Sequence, residues 1–270
     1  MKKIGLNAVK HILLLILSII AVFPLYWMII SSFKDEAEIF NYSFLPKKLQ
    51  FTNYVYALQQ MPIIKMLWNS FINSTIQMIL QIVTAVMVAY ALMRWEFKGK
   101  ALIYGILTLT WLIPFQAIMI PNYVQINEWG LNGSLAAIIL PNMVSAFACI
   151  CMYQSFQSFP KALIEAALID GSEEITILTR VVLPTMKASI ASLGIMLFIT
   201  SWNDYMWPML VVKNLESAPI QIGLKSFVSS DVNLWGSLMA ATTISCIPIL
   251  VIYLLLQRNI VDSFMKWGIK

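Results

Sequence analysis

The run SWNDYMWP, residues 201–208, gathers side chains that suit a sugar. Trp202 and Trp207 offer flat faces to the C–H surfaces of a pyranose. Asn203 and Asp204 can bind hydroxyls. Asp204 stands near the outer end of a long apolar run, and a charge in such a place is costly and often functional. Two readings stand side by side. Asp204 is either an interfacial acid among aromatic residues of the membrane belt, or part of a substrate vestibule with Trp202, Asn203, Tyr205 and Trp207. A second polar set lies upstream. Asn69, Asn73, Gln77 and Gln81 recur every four residues, which places them on one face of a helix. Their amides suit sugar contact, with Asn73 and Gln77 central to that path, and equally suit hydrogen bonds between helices.

Other chemistries find little support. Cys149, Cys151 and Cys246 all lie in apolar stretches, without a histidine or acid beside them, so they read as small apolar residues and not as metal ligands. Their odd number also argues against a disulfide framework. His11 is the single histidine and borders the first apolar run. No nucleophile and base, or set of metal ligands, clusters at a membrane interface. A phosphate-binding loop needs G-x-x-x-x-G-K-[ST], so that backbone amides and a lysine hold the phosphates. The single Gly-Lys pair is Gly99-Lys100; Ala101 follows it, and Arg94 occupies the place of the first glycine. The chain therefore carries no such loop and no cofactor of its own is expected.

These residues must be held by helices in lipid. The 270 residues are 60% hydrophobic and 11% charged, against about 45–50% and about 25% in an average soluble domain. That excess indicates a polytopic membrane protein. Uncharged windows locate six spans of roughly 20 residues each: 12–32, between Lys65 and Arg94, between Lys100 and Glu128, from near Ser134 to before Lys161, from Lys187 past Trp202, and between Asp231 and Arg258. The first apolar run is too long for a signal peptide and lacks a small-residue cleavage site, so it reads as an uncleaved span. Pro114 and Pro121 should kink or end the third span, and Pro248 should bend the sixth. Ala85 and Ala89, at small-xxx-small spacing, let another helix approach the second.

Six spans put both termini on one side. With that side cytoplasmic, twice as many of the 18 Lys and Arg residues lie inside as outside, as the positive-inside rule requires. This accounts for the formal charge of +5 without nucleic-acid binding. The spans that follow the first offer no central acid, lysine or histidine except Asp204, which weakens a proton-coupled secondary transporter. The expected division is 1–66, a first span with an extracytoplasmic loop, and 67–270, a core transmembrane domain.

Within that core, residues 156–186 should face the cytoplasm as a hairpin. Pro160 suits the first turn of a helix, and the run KALIEAALI consists mostly of good helix formers. Gly171 suits the left-handed position just past a helix end. Ser172 can cap a second helix with Glu173 and Glu174 in its first turn, where the macrodipole favours acids. Pro184 closes the segment. Ala166 and Ala167 make the first helix small at its centre; Leu163, Ile164 and Leu168 supply apolar contact, and Glu165 and Asp170 add polar contacts at the rim. The helix either packs on its own chain or docks into a partner.

EAALIDG, residues 165–171, followed by Pro184, resembles the EAA loop of permease subunits of ATP-binding-cassette (ABC) importers. The resemblance continues through FPLYWMIISSFK, NSTIQ, AYALMRWEFKGK, GLNGSLAAIILP, SWNDYMWPML, PIQIGL and QRNIVDSFMKWGIK, and is to the carbohydrate-uptake branch, similar to the maltose-type G subunit. It implies an all-α, six-span type I permease fold. It also implies that Glu165, Ala166, Ala167, Asp170 and Gly171 form a coupling helix seated in a groove of an ATPase. The implied partners are a second permease subunit, two ATPase subunits that bind ATP and magnesium, an extracytoplasmic solute-binding protein and a sugar, all at the cell membrane. One departure is visible: the family often has a second proline four residues after the position of Pro184, where this chain has Ala188.

Overall fold

A computed structural model describes residues 2–41, 43–228 and 234–268, with side chains for 7, 9–41, 43–228 and 234–254. Asp231, the side chains of Lys2, Lys3 and Arg258, and the motif at the carboxyl end therefore lie outside what is described in full.

Every regular element among the described residues is helical. Apart from a short 3-10 helix at Glu36–Glu38, in chain order they are α1 (Lys2–Ser31), α2 (Thr52–Gln60), α3 (Ile63–Arg94), α4 (Lys100–Leu112), α5 (Phe115–Glu128), α6 (Leu135–Asn142) and α7 (Ala146–Phe156). There follow α8 (Lys161–Ile169), α9 (Glu174–Thr185), α10 (Lys187–Trp202), α11 (Met206–Val211), α12 (Ile220–Lys225) and α13 (Trp235–Gly268). Three of these are long and apolar enough to cross a membrane, at Val9–Ser31, Ile63–Arg94 and Trp235–Leu254. Three further candidates are bent pairs: α4 with α5 at 90°, α6 with α7 at 48°, and α9 with α10 at 78°.

The bends have local causes. Pro114 precedes α5 in an extended conformation and breaks the third stretch there, as expected of a residue that cannot donate to the helical ladder. Pro121 does not end that stretch; it sits inside α5, which continues to Glu128. Pro248 likewise lies within an unbroken α13. In the fourth stretch Ser134 accepts from the amide of Ala137 to cap α6, and Ser145 accepts from that of Ala148 to cap α7, each at 3.2 Å. The turn between α9 and α10 falls at Met186, without the second proline that the family often has at position 188.

The chain forms two compact units, residues 1–64 with 223–248 and residues 65–222 with 249–270. In the first unit Glu36 accepts the backbone amides of Trp235 and Gly236 at 2.6 and 2.9 Å, so its carboxylate caps the start of α13. Lys34 is fully buried, donates to the carbonyl of Ser43 and lies 4.3 Å from the Trp27 ring centroid. In the second unit one apolar core joins α3, α7, α8, α9 and α10. Ala85 and Ala89 of α3 are fully buried in it, as their small side chains allow. Gly194 of α10 lies so near α3 that an added Cβ would sit 2.9 Å from Ile82.

Candidate functional site

The hairpin 156–186 follows the expected punctuation with one correction. Pro160 stands immediately before α8. At its far end Gly171 has φ +78°. Its amide donates to the carbonyl of Leu168 and the amide of Ser172 donates to that of Ala167, both at 3.0 Å. This is a Schellman arrangement, which satisfies carbonyls that the helix end would otherwise orphan. The expected cap of α9 by Ser172 is not formed: Glu173 holds the N-cap position and makes no side-chain cap. Between Ile177 and Val182 the second arm widens into a π-helix, just ahead of Pro184, which cannot supply the next amide of the ladder.

Burial divides the motif. Ile164 and Ala167 turn into the chain's own core, at 4% and 8% exposed. Glu165, Ala166, Asp170 and Gly171 face outward. Ala167 thus lets α8 lie close on its own chain, while Ala166 is exposed. Among the described residues the side chains of Glu165 and Asp170 have no hydrogen-bond or ion-pair partner. Beside them two large apolar groups stand clear, Ile169 at 87% and Ile175 at 75% exposed. Neither isoleucine is a named contact residue of the sequence reading. Ile169 lies off the stripe defined by Ile164 and Ala167, and that phase is the signal that marks it.

The hairpin is fastened to α3 by a polar cluster that the sequence reading does not contain. Arg94, the last residue of α3, places Nη2 2.7 Å and Nε 2.9 Å from Oε1 of Glu174, the first residue of α9. Tyr90, one helical turn earlier, donates its hydroxyl to Oε2 at 2.5 Å.

The expected substrate-path residues separate into three kinds. Trp202 and Trp207 are core residues in this structure. Trp202 is 1% exposed and stacks on Phe198. Trp207 is fully buried, meets Phe115 edge-on, and donates its indole N–H to the carbonyl of Ala137 at 3.0 Å. With the amide of Gly133 donating to Val211 at 2.7 Å, that bond ties the loop before α6 to α11. Two motifs that the sequence keeps apart are here one packed corner.

Asn203 and Asp204 lie on the opposite terms. Asn203 is exposed, and its Oδ1 accepts from Gln221 at 3.3 Å. Asp204 is half-buried; burial pushes its carboxyl above the usual range, against the pull of the backbone amides of Trp207, Met206 and Tyr205. The polar face of α3 is the third kind. Asn69 donates to the carbonyls of Glu216 and Ala218, and Gln81 to that of Asn142. Between them Asn73 and Gln77 are almost wholly buried and bonded to each other at 2.9 Å. Near the start of α3 Lys65 lies 2.8 Å from Glu216 and holds its carboxyl below the usual range.

The family profile for the binding-protein-dependent transport system inner membrane component matches residues 81–266. The diacetylchitobiose uptake system permease protein NgcG of Streptomyces coelicolor is 32% identical over 95% of this chain and 86% of its own. The arabinooligosaccharides transport system permease protein AraQ of Halalkalibacterium halodurans is 29% identical over 94% and 93%. The sn-glycerol-3-phosphate transport system permease protein UgpE of Brucella abortus is 28% identical over 96% of each. Among solved structures, a chain of a bacterial ABC transporter that imports the acidic polysaccharide alginate superposes with a TM-score of 0.75, at 26% identity, covering 94% of this chain and 95% of that one.

Proposed function

Because this chain belongs to the family of binding-protein-dependent transport system inner membrane components, we propose that it is one of two permease subunits of an ATP-driven oligosaccharide importer. It spans the membrane six times, the three bent pairs each serving as one span, with both termini in the cytoplasm. Two ATPase subunits supply the energy, and an extracytoplasmic solute-binding protein delivers the sugar. The observation that carries the coupling role is the outward face of the hairpin. Ile169 and Ile175 present large apolar surface, and Glu165 and Asp170 have no partner among the described residues, beside the left-handed Gly171. An apolar centre rimmed by polar groups is how a docking surface is built.

In this reading ATP draws the two ATPase subunits together, and α8 moves with the groove that holds it. The spans then open outward to receive the sugar, and hydrolysis returns the path to the cytoplasm. Asn73, Gln77, Asn203 and Asp204 line the path as the bundle opens; Trp202 and Trp207 brace its wall. No bond of the substrate is made or broken on this chain. Saccharides are named for several relatives, which supports an oligosaccharide as cargo.

Affinity purification of the chain from its native membrane, followed by uptake in membrane vesicles, tests the proposal. An ATPase should copurify, and ATP depletion should stop uptake. If none copurifies, and uptake survives depletion while an ion gradient is intact, the chain works as a secondary transporter. Binding of a glycan panel to the cognate solute-binding protein would then name the sugar.

A further inference from the structure

Both arms of the hairpin share one apolar core with the end of α3, and the second arm adds a directional contact to it. The first arm rests through Ile164 and Ala167, in the apolar core shared with Ala89 and Met93. Such a contact is non-directional. The second arm enters that core through Ile177 and Val182 and is also held by Glu174, whose Oε1 accepts from Arg94 and whose Oε2 accepts from Tyr90 and, at 3.3 Å, from Arg94. Arg94 and Tyr90 are four residues apart on α3, so they share one face. The guanidinium is a planar fork of fixed donors, and its geometry resists rotation in a way a lone ammonium does not.

The same helix carries polar contacts along its length. Gln77 pairs with Asn73, on the order of 25 Å from Arg94 at 1.5 Å per residue. Asn69 and Ser70 then hold the segment 216–220 through Glu216, Ala218 and Ile220. One continuous 32-residue helix thus links the hairpin to a loop at its opposite end.

We propose that the Tyr90–Arg94–Glu174 cluster transmits hairpin movement into α3, so that its three residues position α3 for transport without touching ATP or sugar. The inference rests on the permease reading above. The side chains of Arg94 and Glu174 are 23% and 36% exposed, so the pair is only partly open to water, and its forked geometry orients the hairpin as well as stabilising it. Its directional geometry is what the cluster adds to an apolar seat that already exists.

The test uses the assembled complex in nanodiscs. ATP hydrolysis is measured with and without the solute-binding protein, and the ATPase subunit retained on purification is quantified. In the permease reading, docking of the binding protein outside should raise hydrolysis inside. Arg94→Gln and Glu174→Gln should lower that stimulation at least fivefold, roughly the lower end of ordinary coupling, with ATPase retained at wild-type amounts. Tyr90→Phe, which keeps the ring and the ion pair, should lower it less. The reversed pair Arg94→Glu with Glu174→Arg should recover stimulation relative to either single reversal. Wild-type stimulation in the single variants overturns the proposal. So does loss of the ATPase in every variant, Tyr90→Phe included, without recovery in the reversed pair, since that marks a clamp needed only for assembly. A wild-type complex that retains no ATPase overturns the permease reading itself.

Discussion

Gln81 reaches from α3 to the main-chain carbonyl of Asn142, which it meets at 2.6 Å, at the point where α6 ends and the chain turns 48° into α7. A helix that stops inside an apolar environment leaves carbonyls without donors. The side chain of a neighbouring helix supplies one here, as irregular backbone at membrane depth requires.

Gln81→Leu should therefore destabilise the fold by about 1–3 kcal/mol, the ordinary cost of leaving a buried polar group unpaired. Thermal unfolding in detergent would show it as a lower midpoint. An unchanged midpoint would mean that the bend does not depend on this bond.

Asn73 and Gln77 behave differently because they satisfy each other. Replacing both with leucine removes donor and acceptor together, which is nearly neutral for stability. The double variant should unfold within about 1 kcal/mol of wild type yet take up sugar at least roughly tenfold more slowly. Wild-type uptake would assign the pair to helix packing alone.

Gly171 has φ +78°, and nothing lies within 4 Å of a Cβ built there. Alanine and valine should each cost folding about 1–2 kcal/mol through backbone strain, with no clash inside the chain. They should part at the partner surface: valine should reduce retained ATPase more than alanine does. Equal retention by the two variants would remove this turn from the docking surface.

Asp204 supplies a pH test. Its carboxyl is raised by burial, so the folded state binds its proton more tightly than the unfolded chain does. Stability from this group then falls as pH rises through the window between the ordinary carboxylate range and the raised value. Asp204→Asn should be at least as stable as wild type at neutral pH, and the difference should close as the solution is acidified through that window. Unfolding curves against pH would show this, while uptake by the same variant should fall. A constant stability difference at all pH values would place the acid in water.

Much of the helix pattern follows from local chemistry. The uncharged windows coincide with α3 and with the apolar part of α1, because a span must exclude charge over its whole length. Pro160, Gly171 and Pro114 mark element ends because each limits the backbone at its own position. Pro121 and Pro248 do not mark ends, because a missing amide can be tolerated within a helix when neighbours supply the freed groups.

The functional side chains were less legible. The four-residue repeat from Asn69 to Gln81 puts all four amides on one face but does not say what meets that face. Folding gives Asn69 a loop, Gln81 a broken helix, and Asn73 and Gln77 one another. Trp207 looks like a sugar platform by type, and its indole is instead spent on Ala137, seventy residues away in the chain. Glu174 reads as an acid suited to a helix start, and only the fold brings Arg94 and Tyr90 to it.

Composition, uncharged windows and the punctuation of residues 160–171 are local quantities, so the chain alone determined a membrane-spanning helical protein with a glycine-turned hairpin. Which polar groups are left free and which are used up depends on long-range contacts, where one hydrogen bond satisfies a group and removes it from service. The tertiary structure alone decided that Glu165 and Asp170 face outward, that Ala167 and Trp207 belong to the core, and that Arg94 fastens the hairpin to α3.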